Sequence, residues 1–206
     1  MNEETVDRTN VMLTHHEGSV AAGPAPGPAG PAPGEDFEEE YQKIGWWKGP
    51  YATREARASQ HEFWRARGPE GIRWLVRRLR QEWHIDALHG VASLLADLGE
   101  SIIVPVFEEL ARNPSHDQAL SLLWALVSLS ESSPTLRIEA GPSEPILAGW
   151  LEDDDPDIRE AAAESLRLLG PERSIGRLER RLRDETDDDV RRTVERELTR
   201  QRAERS

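Results

Sequence analysis

The sequence predicts an all-α fold, a right-handed α-solenoid in which about four helical hairpins stack side by side. Three observations favour this fold class. Apolar residues recur at helical spacing through residues 69–203, no stretch alternates in the manner of a strand, and the apolar stripe itself repeats along the chain. With 206 residues, the chain is long enough for one such domain, residues 69–206, preceded by a tail and a shorter segment.

The tail is predicted to be disordered and to cover residues 1–40. Residues 21–34 consist only of Ala, Gly and Pro, a composition typical of an extended spacer and incompatible with a helix. An acidic cluster at 35–40 follows and belongs to the same predicted segment.

Residues 41–68 are predicted to cap the open end of the domain behind them. Thr53 is expected to cap one helix within this segment, which runs from about 54 to 67 and ends at Gly68. Six aromatic residues lie here, too many for a free linker: Tyr41, Trp46, Trp47, Tyr51, Phe63 and Trp64. The alternative is an exposed aromatic and basic motif for a partner, in which Trp46, Trp47 and Trp64 are the candidates.

An internal repeat is the strongest signal in the chain. One Asp is expected to open the second helix of each hairpin: Asp86, Asp117, Asp157 and Asp189. The fifth, ninth and twelfth residues after each Asp are apolar in eleven of twelve cases, the exception being Gln201 at the predicted polar end of the stack. The first helices align twelve residues earlier, so successive repeats are spaced by 31, 40 and 32 residues.

The third unit, residues 141–170, resembles a HEAT repeat of the kind that also occurs in phycobilin-lyase-like proteins. Residues 145–147 resemble the first-helix motif and residues 155–159 resemble the turn between the helices. The resemblance extends over about 135 residues and implies a stacked solenoid. It also implies that Arg159 and Arg191 tie their turns to the acidic turn of a neighbouring unit. Asp157 is expected to accept from free N–H groups at the start of its helix.

Catalytic and metal chemistry find little support in the sequence. The absence of cysteine excludes disulfides and thiolate sites, and there is no nucleophile elbow, phosphate loop or His-Glu-x-x-His motif. The acidic runs 152–155 and 187–189 lack the spacing of a calcium loop. We therefore expect no cofactor, no metal and no enzymatic activity. The HEAT resemblance leaves open a bilin lyase or a DNA glycosylase as alternatives.

The charge and the hydropathy of the chain indicate which partners and location to expect. A net charge of −13 disfavours nucleic acid, which requires a cationic face. No apolar run approaches the roughly 20 residues of a membrane span, and the first twenty residues do not resemble a secretory signal. The sequence thus predicts a cytoplasmic protein without membrane contact, whose partner is a protein with apolar or basic surface.

The main candidate site for a partner consists of apolar residues that lie outside the repeating core positions of the second helices. In a HEAT-like stack the second helices line the concave side, and those of the first two units carry additional large apolar residues. The predicted partner-binding patch consists of Leu88, Leu120, Leu123, Trp124 and Val127. The alternative is that the 130–144 loop or the segment with Trp46 and Trp47 covers this patch.

A basic stripe on the first helix is the secondary candidate. Arg73, Arg77 and Arg80 recur at helical spacing and either receive an acidic partner or form an ordinary solvated face. Together these features predict a non-catalytic adaptor that binds a partner protein through its concave face, as a subunit of a larger bacterial complex. The alternatives are a HEAT-like enzyme and a self-assembling structural module; the partner's identity and the oligomeric state stay open.

Overall fold

A computed structural model describes residues 35–43, 53–79, 85–139 and 141–206. All regular elements within these residues are helical. In chain order they are α1 (Glu35–Lys43), α2 (Arg54–Ala66), α3 (Gly68–Arg78), α4 (Ile85–Asp97), α5 (Ile103–Leu110), α6 (His116–Ser132), α7 (Ser143–Trp150), α8 (Pro156–Ser165), α9 (Pro171–Asp184) and α10 (Asp188–Arg205). Two 3₁₀ turns, Gly99–Ile102 and Leu166–Leu169, precede α5 and follow α8.

The helices from α3 onward pack in two layers, as expected for an α-solenoid. Helix α4 packs against α6, α6 against α8, and α8 against α10, while α3 packs against α5 in the other layer. The predicted repeat register agrees with the helix boundaries, since each marker Asp is the second residue of its helix: Asp86 in α4, Asp117 in α6, Asp157 in α8 and Asp189 in α10.

The core is built from the repeating apolar stripe. Leu95 of α4, Leu126 of α6 and Leu166 of the 3₁₀ turn after α8 occupy the same register position of the repeat, and each is fully buried. Gln201 is buried too, which corrects the expectation that it belongs to an exposed polar end. The end of α10 is covered because α9 packs along it and Arg137 reaches Glu204, with 2.6 Å between Nη2 and Oε2.

Side-chain caps explain where several helices begin. Thr53 accepts from the N–H of Ala56 at 3.1 Å and starts α2 as predicted. The cap of α8 is Asp155, whose Oδ1 accepts from the N–H of Asp157 at 2.9 Å, so the capping role expected for Asp157 belongs two residues earlier. Pro156 at the first helical position fixes this start, since its ring presets a helical φ.

The N-terminal boundary of the folded part lies earlier than predicted. Helix α1 begins at Glu35, inside the segment assigned to the tail, because Phe37 and Tyr41 share one of its faces and are buried. The ring centroid of Phe37 lies 5.7 Å from that of Trp64, and Tyr41 lies 5.9 Å from Trp74. Both α1 and α2 pack on α3, as the capping role requires. The predicted tail residues 1–34 lie outside the described residues.

Charged pairs join successive turns of the array. Arg159 donates from Nε and Nη2 to Glu185 at 3.0 and 2.9 Å, which confirms the predicted tie to the neighbouring acidic turn. Burial opposes ionisation of Glu185. Hydrogen bonds from Arg159, the backbone N–H of Asp187 and Arg181 outweigh burial and lower the pKa of Glu185 to about 2. Arg191 instead donates to the carbonyl oxygen of Glu185 within its own unit.

Candidate protein-binding face

Trp124 is the most prominent side chain on the face formed by α4, α6, α8 and α10, hereafter the second-helix face. It is 41% exposed and, with Val104, one of two large apolar side chains exposed among the residues that the structure describes. Leu120, one turn earlier on α6, is only partly buried, so its side chain borders the same surface. Trp is among the residues enriched at the centres of protein interfaces, so Trp124 is the candidate anchor of this face.

Two members of the predicted patch belong to the core instead. Leu123 is fully buried and Val127 is 2% exposed, so neither contributes to an accessible surface. The physical reason is that α6 lies between α4 and α8 and must bury apolar side chains towards both neighbours. Its apolar excess therefore mostly reflects this central position. Leu88 lies in α4, but its side chain is outside the described part of the structure.

A depression lies directly beside Trp124, between α4 and α6. It has a volume of about 360 Å³ and is lined by Ala92, Ser93, Ala96, Asp97, Trp124, Ser128 and Ser132. The lining side chains are small except for the indole and one carboxylate. This geometry provides room for an apolar side chain of a partner against the indole of Trp124.

Acidic side chains lie on α8, the next helix of the second-helix face. The Oγ of Ser165 donates to the carbonyl oxygen of Leu123 at 3.3 Å, so α8 packs beside the middle of α6. Burial raises the pKa of Glu164, and the positive charge of Arg196 opposes that effect. Glu160 lies one turn earlier and accepts from Thr193 of α10 at 2.7 Å. Across the second-helix face, α6 with Trp124 is thus followed by α8 with Glu160 and Glu164, and then by α10.

The described part of the 130–144 loop does not cover this face. The N–H of Ile138 donates to the carbonyl oxygen of Leu168 at 2.8 Å, which directs the loop towards the end of α8. Arg137 reaches α10. Trp124 accordingly stays exposed beside its depression. The other proposed cover, the segment with Trp46 and Trp47, lies outside the described residues.

The described secondary candidates for partner binding, Trp64 and the arginines Arg73 and Arg77 of the basic stripe, lie on α2 and α3, outside the second-helix face. Trp64 is fully buried, and its Nε1–H donates to Oε1 of Gln60 at 3.0 Å, so it belongs to the core of the capping segment rather than to a surface motif. Arg73 pairs with Glu108 of α5, 3.2 Å from Nε to Oε2. Arg77 is exposed, and Arg80 lies outside the described residues. Within this basic stripe, Arg73 therefore forms an ion pair inside the chain.

Sequence reasoning missed a second exposed apolar position, Val104, which is 57% exposed on α5. One feature of the sequence indicated an irregularity near α5. The spacing between the second and third units is 40 residues, eight or nine residues longer than the spacings on either side. In the part of the chain that the structure describes, no cluster of three or more His, Asp or Glu residues is placed to hold a metal ion. None of the described helices is both long and apolar enough to span a membrane.

Comparison with known proteins assigns a family to the C-terminal part of the chain. Residues 137–199 match the family model described as HEAT repeats, and they include the whole of α7, α8 and α9. No curated protein and no solved structure shows significant similarity to the chain. The match supports HEAT repeats as such, and the likeness to phycobilin-lyase-type repeats stays a prediction.

Proposed function

Since residues 137–199 match the HEAT-repeat family model, we propose that the chain is a non-catalytic scaffold or adaptor for another protein. The partner binds the concave face of a short right-handed solenoid with four helical hairpins. The observation that carries this proposal is the exposed indole of Trp124 beside its depression on the second-helix face. HEAT-like solenoids mostly serve as binding scaffolds, which agrees with this role.

Burial of Trp124 provides the binding free energy. An aromatic anchor beside a pocket is the usual centre of an interface hot spot, and truncating such a residue costs about 2 kcal/mol or more. A partner side chain that enters the depression contacts the indole on one side and the small side chains of Ala92 and Ala96 on the other. The helices that carry these residues pack directly on each other, so little free energy is spent on ordering the site.

Charge around Trp124 determines which partner fits. Asp97 lies in the wall of the depression, 53% exposed and 3.0 Å from Nε2 of His61, while Glu160 and Glu164 of α8 are engaged by Thr193 and Arg196. Asp97 is thus the acid that lines the depression, and a partner side chain flanked by Arg or Lys suits it better than one flanked by acids. The partner is accordingly a protein with apolar and basic surface, consistent with the net charge of −13 on the chain. We expect it in a larger bacterial complex of the cytoplasm.

The test compares three forms of the full chain in affinity capture from native lysate with mass spectrometry. They are the wild type, Trp124→Glu and, as a matched control, Ala58→Glu, which places a new acid at an exposed position of α2 outside this face. We expect one partner to be retained by the wild type and Ala58→Glu and lost from Trp124→Glu. Circular dichroism checks that all three stay helical.

Either of two results would count against this function. If folded Trp124→Glu captures the same proteins as the wild type, the second-helix face is not the binding site. If no form captures a protein, the bilin-lyase, glycosylase and self-assembly alternatives become the better hypotheses. Visible absorbance of protein purified from its own host, a base-excision assay and a concentration-dependent mass would then separate these three.

A further inference from the structure

The interval between the second and third units is the longest in the repeat array. The markers Pro105 and Pro145 of α5 and α7 are 40 residues apart, whereas the neighbouring intervals span 31 and 32 residues. The additional residues lengthen α6 to 17 residues and form the segment 133–142 between α6 and α7. A solenoid with equal intervals packs its first helices evenly, so an insertion at this point affects how α7 meets α5.

A groove results on the layer opposite the second-helix face. Helix α5 packs more closely with α3 than with α7, and the inserted segment lines the space between α5 and α7. This α5–α7 groove has a volume of about 520 Å³. Its apolar lining comes from Ile103, Val104 and Phe107 on one side and from Ile138, Pro142 and Ile146 on the other. Val104 belongs to this lining and leaves 57% of its surface in water.

Hydrogen bonds attach the described part of the inserted segment to the C-terminal units. The N–H of Ile138 donates to the carbonyl oxygen of Leu168 at 2.8 Å, and Nη1 of Arg173 donates to the carbonyl oxygen of Ile138 at 3.2 Å. Arg137 donates to Glu204 at 2.6 Å from the same segment. Because these bonds connect the segment to α9 and α10, a ligand does not have to order it.

Charge at the groove selects the occupant. The charged residues in its lining are Glu108 and Glu139, both acidic. Glu108 is paired with Arg73, whereas Glu139 is exposed and has no hydrogen-bond or ion-pair partner among the described residues. A basic side chain of a partner therefore gains an ion pair at Glu139, and an acidic one meets repulsion.

We propose that the α5–α7 groove is a second docking site, which takes a short amphipathic segment of a partner protein. Two apolar side chains of that segment contact Val104 and Ile146, and an Arg or Lys faces Glu139. The eight residues of α5 extend about 12 Å, the length of two helical turns, and this length suits two apolar anchors one turn apart. The site is separate from Trp124, so the chain connects two binding events on opposite layers.

The experiment selects peptides from a phage-displayed library of random 16-residue sequences on the full-length protein. Peptides are counter-selected against Val104→Asp and then measured by fluorescence anisotropy. We expect the retained sequences to combine apolar residues at helical spacing with Arg or Lys. Their affinity should fall about 30-fold in Val104→Asp and about threefold to fivefold in Glu139→Lys. Trp124→Glu should leave their affinity unchanged, which separates this site from the second-helix face.

Other outcomes overturn the proposal. Selection of acidic peptides, or peptides whose affinity increases in Glu139→Lys, contradicts the assigned charge. A concentration-dependent mass that Val104→Asp abolishes assigns the groove to a second copy of this chain. A library that yields no peptide dependent on Val104 shows that the groove accepts no partner segment. Val104 is largely exposed, so Val104→Asp should fold, and circular dichroism with thermal unfolding verifies this.

Discussion

The two ends of the repeat array are stabilised by different chemistry. At the N-terminal end α1, α2 and α3 meet through stacked aromatic rings, in which Trp64 and Trp74 lie 5.8 Å apart at an interplanar angle of 22°. At the C-terminal end, successive units are connected by buried arginine–carboxylate pairs such as Arg159 with Glu185. The family match at 137–199 covers much of this charged end and none of the aromatic one.

The difference indicates where binding surface is available. In the described C-terminal units many charged side chains pair within the chain, as in Arg177 with Glu144 at 2.6 Å, and no large apolar side chain is exposed. The α5 and α6 helices lie between the two ends and expose Val104 and Trp124 on opposite layers. The two proposed binding surfaces therefore lie in the middle of the array, between two ends that are stabilised in different ways.

The largest expected effect concerns the aromatic end. Trp64→Ala removes a fully buried indole and its hydrogen bond to Gln60, and should lower the free energy of unfolding by about 4 kcal/mol. Urea unfolding followed by circular dichroism measures this loss, with Trp124→Ala as a matched exposed control. A loss below about 1 kcal/mol would show that α1 and α2 do not pack on α3 as described.

The charged end should respond to the removal of one member of a buried pair. Arg167 donates to Glu197 at 3.3 and 3.2 Å, and the side chains are 5% and 1% exposed. Arg167→Met should cost about 3 kcal/mol because it leaves a buried carboxylate without its main partner. The double variant Arg167→Met/Glu197→Leu should recover most of that loss in the same unfolding measurement. If the double variant is as unstable as the single one, the arginine acts through packing rather than charge.

Acid should destabilise the charged end selectively. The pKa of Glu185 is about 2 in the folded chain against an ordinary value of 4.5, so its stabilisation is complete above pH 4.5 and is lost as the pH falls towards 2. The loss amounts to at most about 3 kcal/mol. Unfolding measured between pH 6 and pH 2 should show a steeper decline for the wild type than for Glu185→Gln. Parallel declines in the two proteins would contradict the lowered pKa.

The sequence predicted the helical register well because apolar spacing is a local property. The second helices begin where Asp86, Asp117, Asp157 and Asp189 indicated, and Thr53 caps α2. Helix α1 was not predicted, because residues 35–40 have the acidic composition of a tail and the burial of Phe37 and Tyr41 depends on rings contributed by α2 and α3.

The candidate site was harder to predict because exposure depends on neighbouring helices. Leu123 and Val127 have the same apolar chemistry as Trp124, but α4 and α8 on either side of α6 leave only Trp124 exposed. The α5–α7 groove depends on how the segment after α6 folds back to Leu168, a contact between residues 30 apart that no local pattern encodes. In the sequence, only the unequal repeat spacing indicated that α5 and α7 pack differently from the other first helices.

The smallest expected effect distinguishes the middle of the array from both ends. Val104→Asp and Trp124→Glu each change a side chain that already faces water, so the free energy of unfolding should change by less than about 0.5 kcal/mol. Thermal and urea unfolding of both variants beside Trp64→Ala and Arg167→Met measures the contrast. A large loss in either surface variant would mean that the exposed apolar residue stabilises the fold and is not retained for binding. Near-zero losses would show that neither side chain is needed for stability, which both proposed binding sites require.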